Sequence, residues 1–195
     1  MGLDVIVIDP ENEYRRLAET FGGSYFNISL SSHEHINPFD IPAIPEDESP
    51  SDVLRSHIVN LAGLVKLMLG KLTPEEDSVL DRAITETYAS REITPDEDFS
   101  NAQPPLLEDL ETVLNNLEGG KGMAERLYKF TKGSFAGFLN QQTNVDVNNR
   151  LIVFSIRDLE DELRPLAMYV ILNFIWNLIR AKVKKRIMIV DEASW

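Results

Sequence analysis

The sequence Arg186-Ile-Met-Ile-Val-Asp-Glu-Ala-Ser-Trp195 contains four consecutive apolar residues followed directly by two carboxylates. A short continuous apolar run of this kind is typical of a strand that is buried on both faces of a parallel sheet. In open α/β sheets, ligands bind beyond the carboxyl ends of the strands, which is where Asp191 and Glu192 would then lie. The run is also compatible with a buried strand that enters a polar turn and carries no functional site.

Similar apolar runs predict further strands of the same sheet. Val5 to Ile8 predicts a first strand, Ser24 to Ile28 a weaker second one, and Leu151 to Ile156 a third. Residues 11–20 predict a short helix after the first strand. A long helix from about residue 159 to 185 is predicted to lead into the closing strand. Since strands alternate with helices in both outer parts of the chain, these parts are predicted to have an α/β fold.

The middle of the chain, residues 49–140, carries helical patterns. Its first helix is predicted to start with Ser49 as the N-cap and Pro50 in the first turn. Apolar residues at steps of three and four form one stripe along it: Leu54, Ile58, Leu61, Val65, Met68 and Leu72. Thr73 and Glu76 have the spacing of a capping box at the start of a second helix. Two more amphipathic segments follow, so we expect an all-α inserted domain with the form of a small bundle.

The composition is that of an ordinary globular protein, with 195 residues, 43% hydrophobic and 26% charged. There is no cysteine, which excludes disulfides and thiolate metal sites. Residues 46–118 hold 17 acids and 5 bases, whereas residues 119–195 hold 8 acids and 12 bases. We therefore do not expect the acidic middle to contact nucleic acid directly, because phosphate binding rests on clustered Lys and Arg.

Three other features have plain structural interpretations. His33 and His35 could bind a metal, but no further ligand stands at a suitable spacing, so they are interpreted as solvated loop residues. The apolar region from Leu166 to Ile179 is interrupted by two asparagines and is shorter than the roughly 20 residues of a spanning helix. The basic residues at 180–186 are interpreted as charges that favour the carboxyl end of the preceding helix.

Six segments resemble the motor ATPases of type IV secretion and conjugative DNA transfer, the VirB/TraC-type enzymes of the FtsK–HerA group. These segments are Val5-Ile-Val-Ile-Asp-Pro-Glu-Asn-Glu-Tyr14, Ile36-Asn-Pro-Phe-Asp40, Gly133-Ser-Phe-Ala-Gly-Phe138, Thr143-Asn-Val-Asp146, Arg150-Leu-Ile-Val-Phe-Ser155 and Ile189-Val-Asp-Glu-Ala193. The resemblance spans nearly the whole chain and rests on the order of the segments. It implies a partial RecA-like P-loop NTPase core, formed by residues 1–48 and 141–195, that is interrupted by the all-α inserted domain at 49–140.

The resemblance also implies roles for individual residues. Asp191 corresponds to the family's Walker B aspartate, which holds the Mg²⁺ of ATP through water, and Glu192 corresponds to its catalytic glutamate. Asp9 and Glu13 lie in a family segment at the nucleotide edge of the sheet and are not assigned catalytic roles. The family's phosphate loop, Gly-x-x-x-x-Gly-Lys-[Ser/Thr], does not occur in this sequence. We therefore expect an internal piece of a longer P-loop ATPase, running from after Walker A to Walker B, that is inactive by itself.

In such a parent, ATP and Mg²⁺ would drive a hexameric motor that transfers DNA or protein or assembles a pilus. Its partners would be the other motor subunits and the secretion machinery. It would be cytoplasmic and associated peripherally with the inner face of the cell membrane through that machinery. Two alternatives stay open. One is a non-catalytic helical protein-interaction module on an incomplete α/β scaffold, and the other is a different P-loop enzyme such as a kinase. We also expect uncovered apolar strand edges that favour aggregation.

Overall fold

The computed structural model of the protein describes residues 2–45, 47–96, 99, 102–182 and 184–191. These ranges contain four strands and seven helices. In chain order they are β1 Asp4–Asp9, α1 Arg15–Phe21, β2 Ser24–Asn27, α2 Pro50–Leu69, α3 Pro74–Ala89, α4 Leu107–Asn116, α5 Lys121–Thr131, α6 Ala136–Leu139, β3 Leu151–Ser155, α7 Arg164–Ala181 and β4 Arg186–Val190.

The four strands form one parallel sheet in the order β2-β3-β1-β4. Side chains alternate between its two faces, and the two faces are covered differently. Val7 and Val153 pack against Ala18 of α1 on one face, whereas Ile8 and Phe154 face the larger core on the other. This confirms the predicted α/β class, with a parallel sheet and flanking helices as in a partial RecA-like core.

The central strand β1 and the edge strand β4 differ sharply in burial. Ile6, Val7 and Ile8 of β1 are at most 1% exposed, whereas Ile187 and Met188 of β4 are each 46% exposed. The expectation that the closing apolar run is buried on both faces is therefore wrong for this structure. The physical reason is position, because within the described residues β4 pairs with β1 alone and its other edge carries no strand.

The helix starts in the middle of the chain match the sequence signals. The Ser49 hydroxyl accepts a hydrogen bond from the Asp52 N–H at 3.1 Å. Thr73 and Glu76 form both hydrogen bonds of the predicted capping box, at 2.9 and 3.2 Å. The long helix α7 is shorter than predicted, because turns occupy residues 161–163 and Lys182 is already extended.

One continuous core joins the sheet to the helical part. Phe154 of β3 meets Phe174 of α7 edge-on, with ring centroids 6.2 Å apart. Buried side chains of α2 to α5, such as Leu61 and Leu110, belong to the same apolar cluster as these sheet residues. The helical part therefore packs against the face of the sheet that α7 covers, and the two share one apolar core.

Candidate functional site

Four polar residues follow or end the four strands at the carboxyl edge of the sheet. Across the sheet, Asn27 of β2 is in register with Ser155 of β3, and Ser155 is in register with Asp9 of β1. Asp191 follows β4, and its N–H donates to the Ile8 carbonyl at 3.1 Å. This hydrogen bond extends the parallel pairing and brings Asp191 beside Asp9, at the edge where open α/β sheets bind ligands.

Asp9 is completely buried, and its side chain forms hydrogen bonds with the backbone that follows it. Its carboxylate accepts hydrogen bonds from the N–H groups of Glu13 and Tyr14, at 3.0 and 2.9 Å. Because Pro10 has no N–H and Asn12 has a positive φ of 61°, this turn depends on side-chain acceptors to satisfy its amides. Asp9 thus fixes the path from β1 into α1, a structural role that agrees with leaving it out of the catalytic set.

Of the two acids predicted to carry the chemistry, the structure describes one. Asp191 is half-buried at the end of β4. Glu192 lies outside the described residues. A carboxylate oxygen suits Mg²⁺, which usually takes one or two protein carboxylates and completes its shell with water and substrate phosphates. The described residues contain no cluster of three or more His, Asp or Glu that could hold a metal ion without a nucleotide.

Ser155 is a residue that the sequence analysis did not single out. It is fully buried at the end of β3, and its hydroxyl has no hydrogen-bond partner among the described residues. Polar side chains near Ser155 form hydrogen bonds with other residues: the Asn27 amide donates to Asp158 at 2.7 Å, and Arg157 donates to the Glu11 carbonyl at 3.3 Å. In the sequence, Ser155 ends both an apolar run and the family-like segment 150–155, and neither feature distinguishes it from an ordinary strand terminus.

Two of the six recognised segments, residues 36–40 and 143–146, meet away from this edge. The Asn37 N–H donates to the Thr143 hydroxyl at 2.7 Å, and that hydroxyl donates to Asp40 at 2.5 Å. The Asn37 amide also donates to the Pro105 carbonyl at 2.9 Å. Asn144 binds the backbone of His33 and His35 in the same way, at 2.6 and 2.7 Å. These segments therefore connect loops of the fold through hydrogen bonds. At His33 and His35, the described residues contain no cluster of three or more possible metal ligands.

A buried polar chain continues from this junction into the helices. The Tyr88 hydroxyl donates to the Phe39 carbonyl at 3.0 Å and lies 2.8 Å from Nε2 of His57. Because the single Tyr88 proton goes to the carbonyl, His57 donates from Nε2 as a neutral ring. Burial lowers the pKa of His57 to about 4 and raises the pKa of Tyr88. Burial also raises the pKa of Asp40, while its hydrogen bond from Thr143 opposes that shift.

Comparisons with known proteins agree with this geometry. A comparison with curated protein sequences finds no significant match. Among solved structures, the chain is similar to VirB4 of Thermoanaerobacter pseudethanolicus, with 27% sequence identity and a TM-score of 0.85. That similarity covers 97% of this chain and 75% of the VirB4 chain. Within the described residues, no helix is both long and apolar enough to cross a membrane.

The decisive comparison is with the TraG P-loop domain, which matches residues 1–195. It confirms the resemblance that the six ordered segments indicated. The chain therefore belongs to the TraG P-loop domain family, and it is part of an ATPase motor domain of a type IV secretion or conjugation system.

Proposed function

We propose that Asp191 and Glu192 are the acidic pair of the motor's ATP site. The observation that carries this proposal is the position of Asp191 at the carboxyl end of β4, in a chain that matches the TraG P-loop domain throughout. In this role, Asp191 would hold the Mg²⁺ ion of ATP through water. Glu192, the next residue along the chain, takes a proton from the attacking water and so makes it a better nucleophile.

The neighbouring strand β1 contributes an acid with a different role. Asp9 lies beside Asp191, but its carboxylate already accepts two backbone N–H groups. These hydrogen bonds occupy the Asp9 carboxylate, so we assign the magnesium contact to Asp191 and not to Asp9. When it is bound, Mg²⁺ would neutralise the charge that develops on the transferred phosphate.

We further propose separate roles for the two parts of the chain. Residues 1–48 and 141–195 form the ATPase core around the site, and residues 49–140 form the inserted helical domain. In the complete motor, we propose that six such cores form a ring and that the hydrolysis of ATP drives the transfer of DNA or protein or the assembly of a pilus. Because the helical insertion is acidic, we propose that it contacts the secretion machinery and not nucleic acid.

The test uses the full-length protein with Asp191→Ala and Glu192→Gln, and with Asp158→Asn as the matched control. Asp158 is an exposed acid at the same edge, where it accepts a hydrogen bond from the Asn27 amide. We expect Asp191→Ala to weaken magnesium-dependent ATP binding. Glu192→Gln should keep binding and lower the hydrolysis rate by about 10²-fold or more. The control should keep both activities, and wild-type hydrolysis in Glu192→Gln would refute the assignment.

The 195-residue chain itself provides a second test. Because its sequence has no Gly-x-x-x-x-Gly-Lys-[Ser/Thr] loop, we expect no phosphate release above that of its Glu192→Gln variant. ATP hydrolysis well above that variant would show that other residues of this chain hold the phosphates. The alternative function, a docking module without catalysis, predicts that full-length Asp191→Ala and wild type release phosphate equally slowly.

A further inference from the structure

Helix α7, which leads into β4, is held against the helical insertion by polar contacts at its start, its middle and its end. These contacts join Lys129 to Glu162 and the Tyr169 hydroxyl to the Asn60 carbonyl, each at 2.7 Å, and Arg180 to Glu48. Asn60 belongs to α2, the first helix of the insertion, and Glu48 lies just before that helix. The insertion therefore grips α7 along its length.

The contact in the middle is shaped by a glycine of α2. A Cβ atom at Gly63 would lie 2.8 Å from the Tyr169 hydroxyl oxygen, which is too close for an ordinary contact. The absence of a side chain at Gly63 thus lets the hydroxyl reach the Asn60 carbonyl, one helical turn earlier. A glycine in the middle of a helix is destabilising relative to alanine. Here it coincides with the point where α7 touches α2.

Between the contacts of Tyr169 and Arg180, the two helices are separated by a cleft. Its walls combine apolar side chains with amides and include Leu61, Leu64, Asn173, Phe174 and Asn177. The Asn177 amide forms no hydrogen bond with any described residue and does not bridge this cleft. Because side chains do not fill the space between the helices here, the polar contacts at its two ends set the distance between α2 and α7.

A short connection transmits the position of α7 to the candidate ATP site. Helix α7 ends at Ala181 and β4 begins at Arg186. Within the described residues, β4 pairs with β1 alone, so the sheet holds it from one side. Val190, directly before Asp191, packs against the apolar cluster to which α7 also belongs. A displacement of α7 is therefore expected to move the end of β4.

We propose that Tyr169 is a positioning residue for the ATP site and that the helical insertion acts on hydrolysis through it. This inference rests on the proposed roles of Asp191 and Glu192. Tyr169 fixes α7 against α2 and thereby holds the two acids at their working positions. Because Asp191 acts through water, it tolerates a small displacement, whereas proton transfer to Glu192 depends steeply on distance. Loss of the contact should thus lower kcat and leave the KM for ATP unchanged.

The test measures ATP hydrolysis and thermal unfolding of the full-length protein. Gly63→Ala places a methyl group where the hydroxyl lies, and Tyr169→Phe removes the hydroxyl but keeps the ring. The matched control is Gly122→Ala, a helix glycine of the same insertion whose Cβ would meet no atom within 4 Å. Alanine favours a helix over glycine, so neither alanine variant should unfold earlier than wild type. A fall in kcat would then not arise from a loss of folded protein.

We expect Gly63→Ala and Tyr169→Phe each to lower kcat about ten-fold, while Gly122→Ala keeps the kcat of wild type. The double variant should be no slower than the slower single variant, because both changes break the same contact. Wild-type kcat in both single variants, losses that multiply in the double variant, or a raised KM with normal kcat would overturn the proposal. A fall in kcat only in variants that unfold earlier would overturn it too.

Glu192→Gln, measured in the same assay, separates this inference from the assignment of the ATP site. If Glu192→Gln is inactive and the Gly63 and Tyr169 variants hydrolyse ATP like wild type, only the positioning role fails. If Glu192→Gln hydrolyses ATP like wild type, the assignment of the ATP site fails, and the positioning role fails with it.

Discussion

Buried His57 makes the stability of the protein depend on pH in a defined window. Burial lowers the pKa of His57 to about 4 in the folded protein, from 6.5 as its ordinary value. Between these two values the unfolded chain binds a proton that the folded chain does not, so the free energy of unfolding falls as the pH falls. The difference of about 2.5 pH units corresponds to about 3 kcal/mol in full, of which about 2 kcal/mol is lost by pH 5.

The measurement is urea unfolding of wild type and His57→Gln at pH 8 and pH 5. Glutamine can still donate to the Tyr88 hydroxyl, but it does not titrate, so its variant should lack this loss. The raised pKa of Asp40 acts in the opposite direction, because the folded state then holds its proton more strongly and loses stability as the pH rises above 3.8. That contribution is common to both proteins and cancels in the comparison. Equal losses in wild type and His57→Gln between pH 8 and pH 5 would refute the reasoning.

Two further predictions concern the sheet. Asp9→Ala should destabilise the fold by about 3 kcal/mol, because it leaves two backbone amides without their charged acceptor, and Asp9→Asn should cost about half as much. Thermal or urea unfolding measures both, and equal costs would contradict the two-acceptor account. Met188→Lys should slow aggregation of the 195-residue chain several-fold in light scattering, because a charge on an open edge strand opposes strand pairing. Leu17→Lys, which places the same charge on exposed helix α1, should change it much less.

The strands and helix starts were predictable because their signals are local. A run such as Val5 to Ile8 is apolar at every position, and Thr73 with Glu76 closes its capping box within four residues. The order β2-β3-β1-β4 depends on pairings between residues more than a hundred positions apart, such as Val7 with Val153. Nothing in either run specifies the other as its neighbour. The exposure of β4 follows from that order, which is why its apolar composition alone predicted burial.

In the candidate site, too, the residue types follow from the local sequence, whereas their surroundings depend on strands that are distant along the chain. The two carboxylates at 191 and 192 indicated a ligand-binding strand end, and the resemblance gave them their expected roles, but the setting of Asp191 comes from β1, which contributes the Ile8 carbonyl and the neighbouring Asp9. Nothing in the sequence marked the Ser155 side chain itself, because its burial and the lack of a partner for its hydroxyl among the described residues arise only when β3 pairs between β1 and β2. The two edges of the sheet thereby carry side chains of opposite charge, because all four strands run in the same direction. Parallel strands collect the residues that precede them at one edge and those that follow them at the other, here lysines and arginines against aspartates.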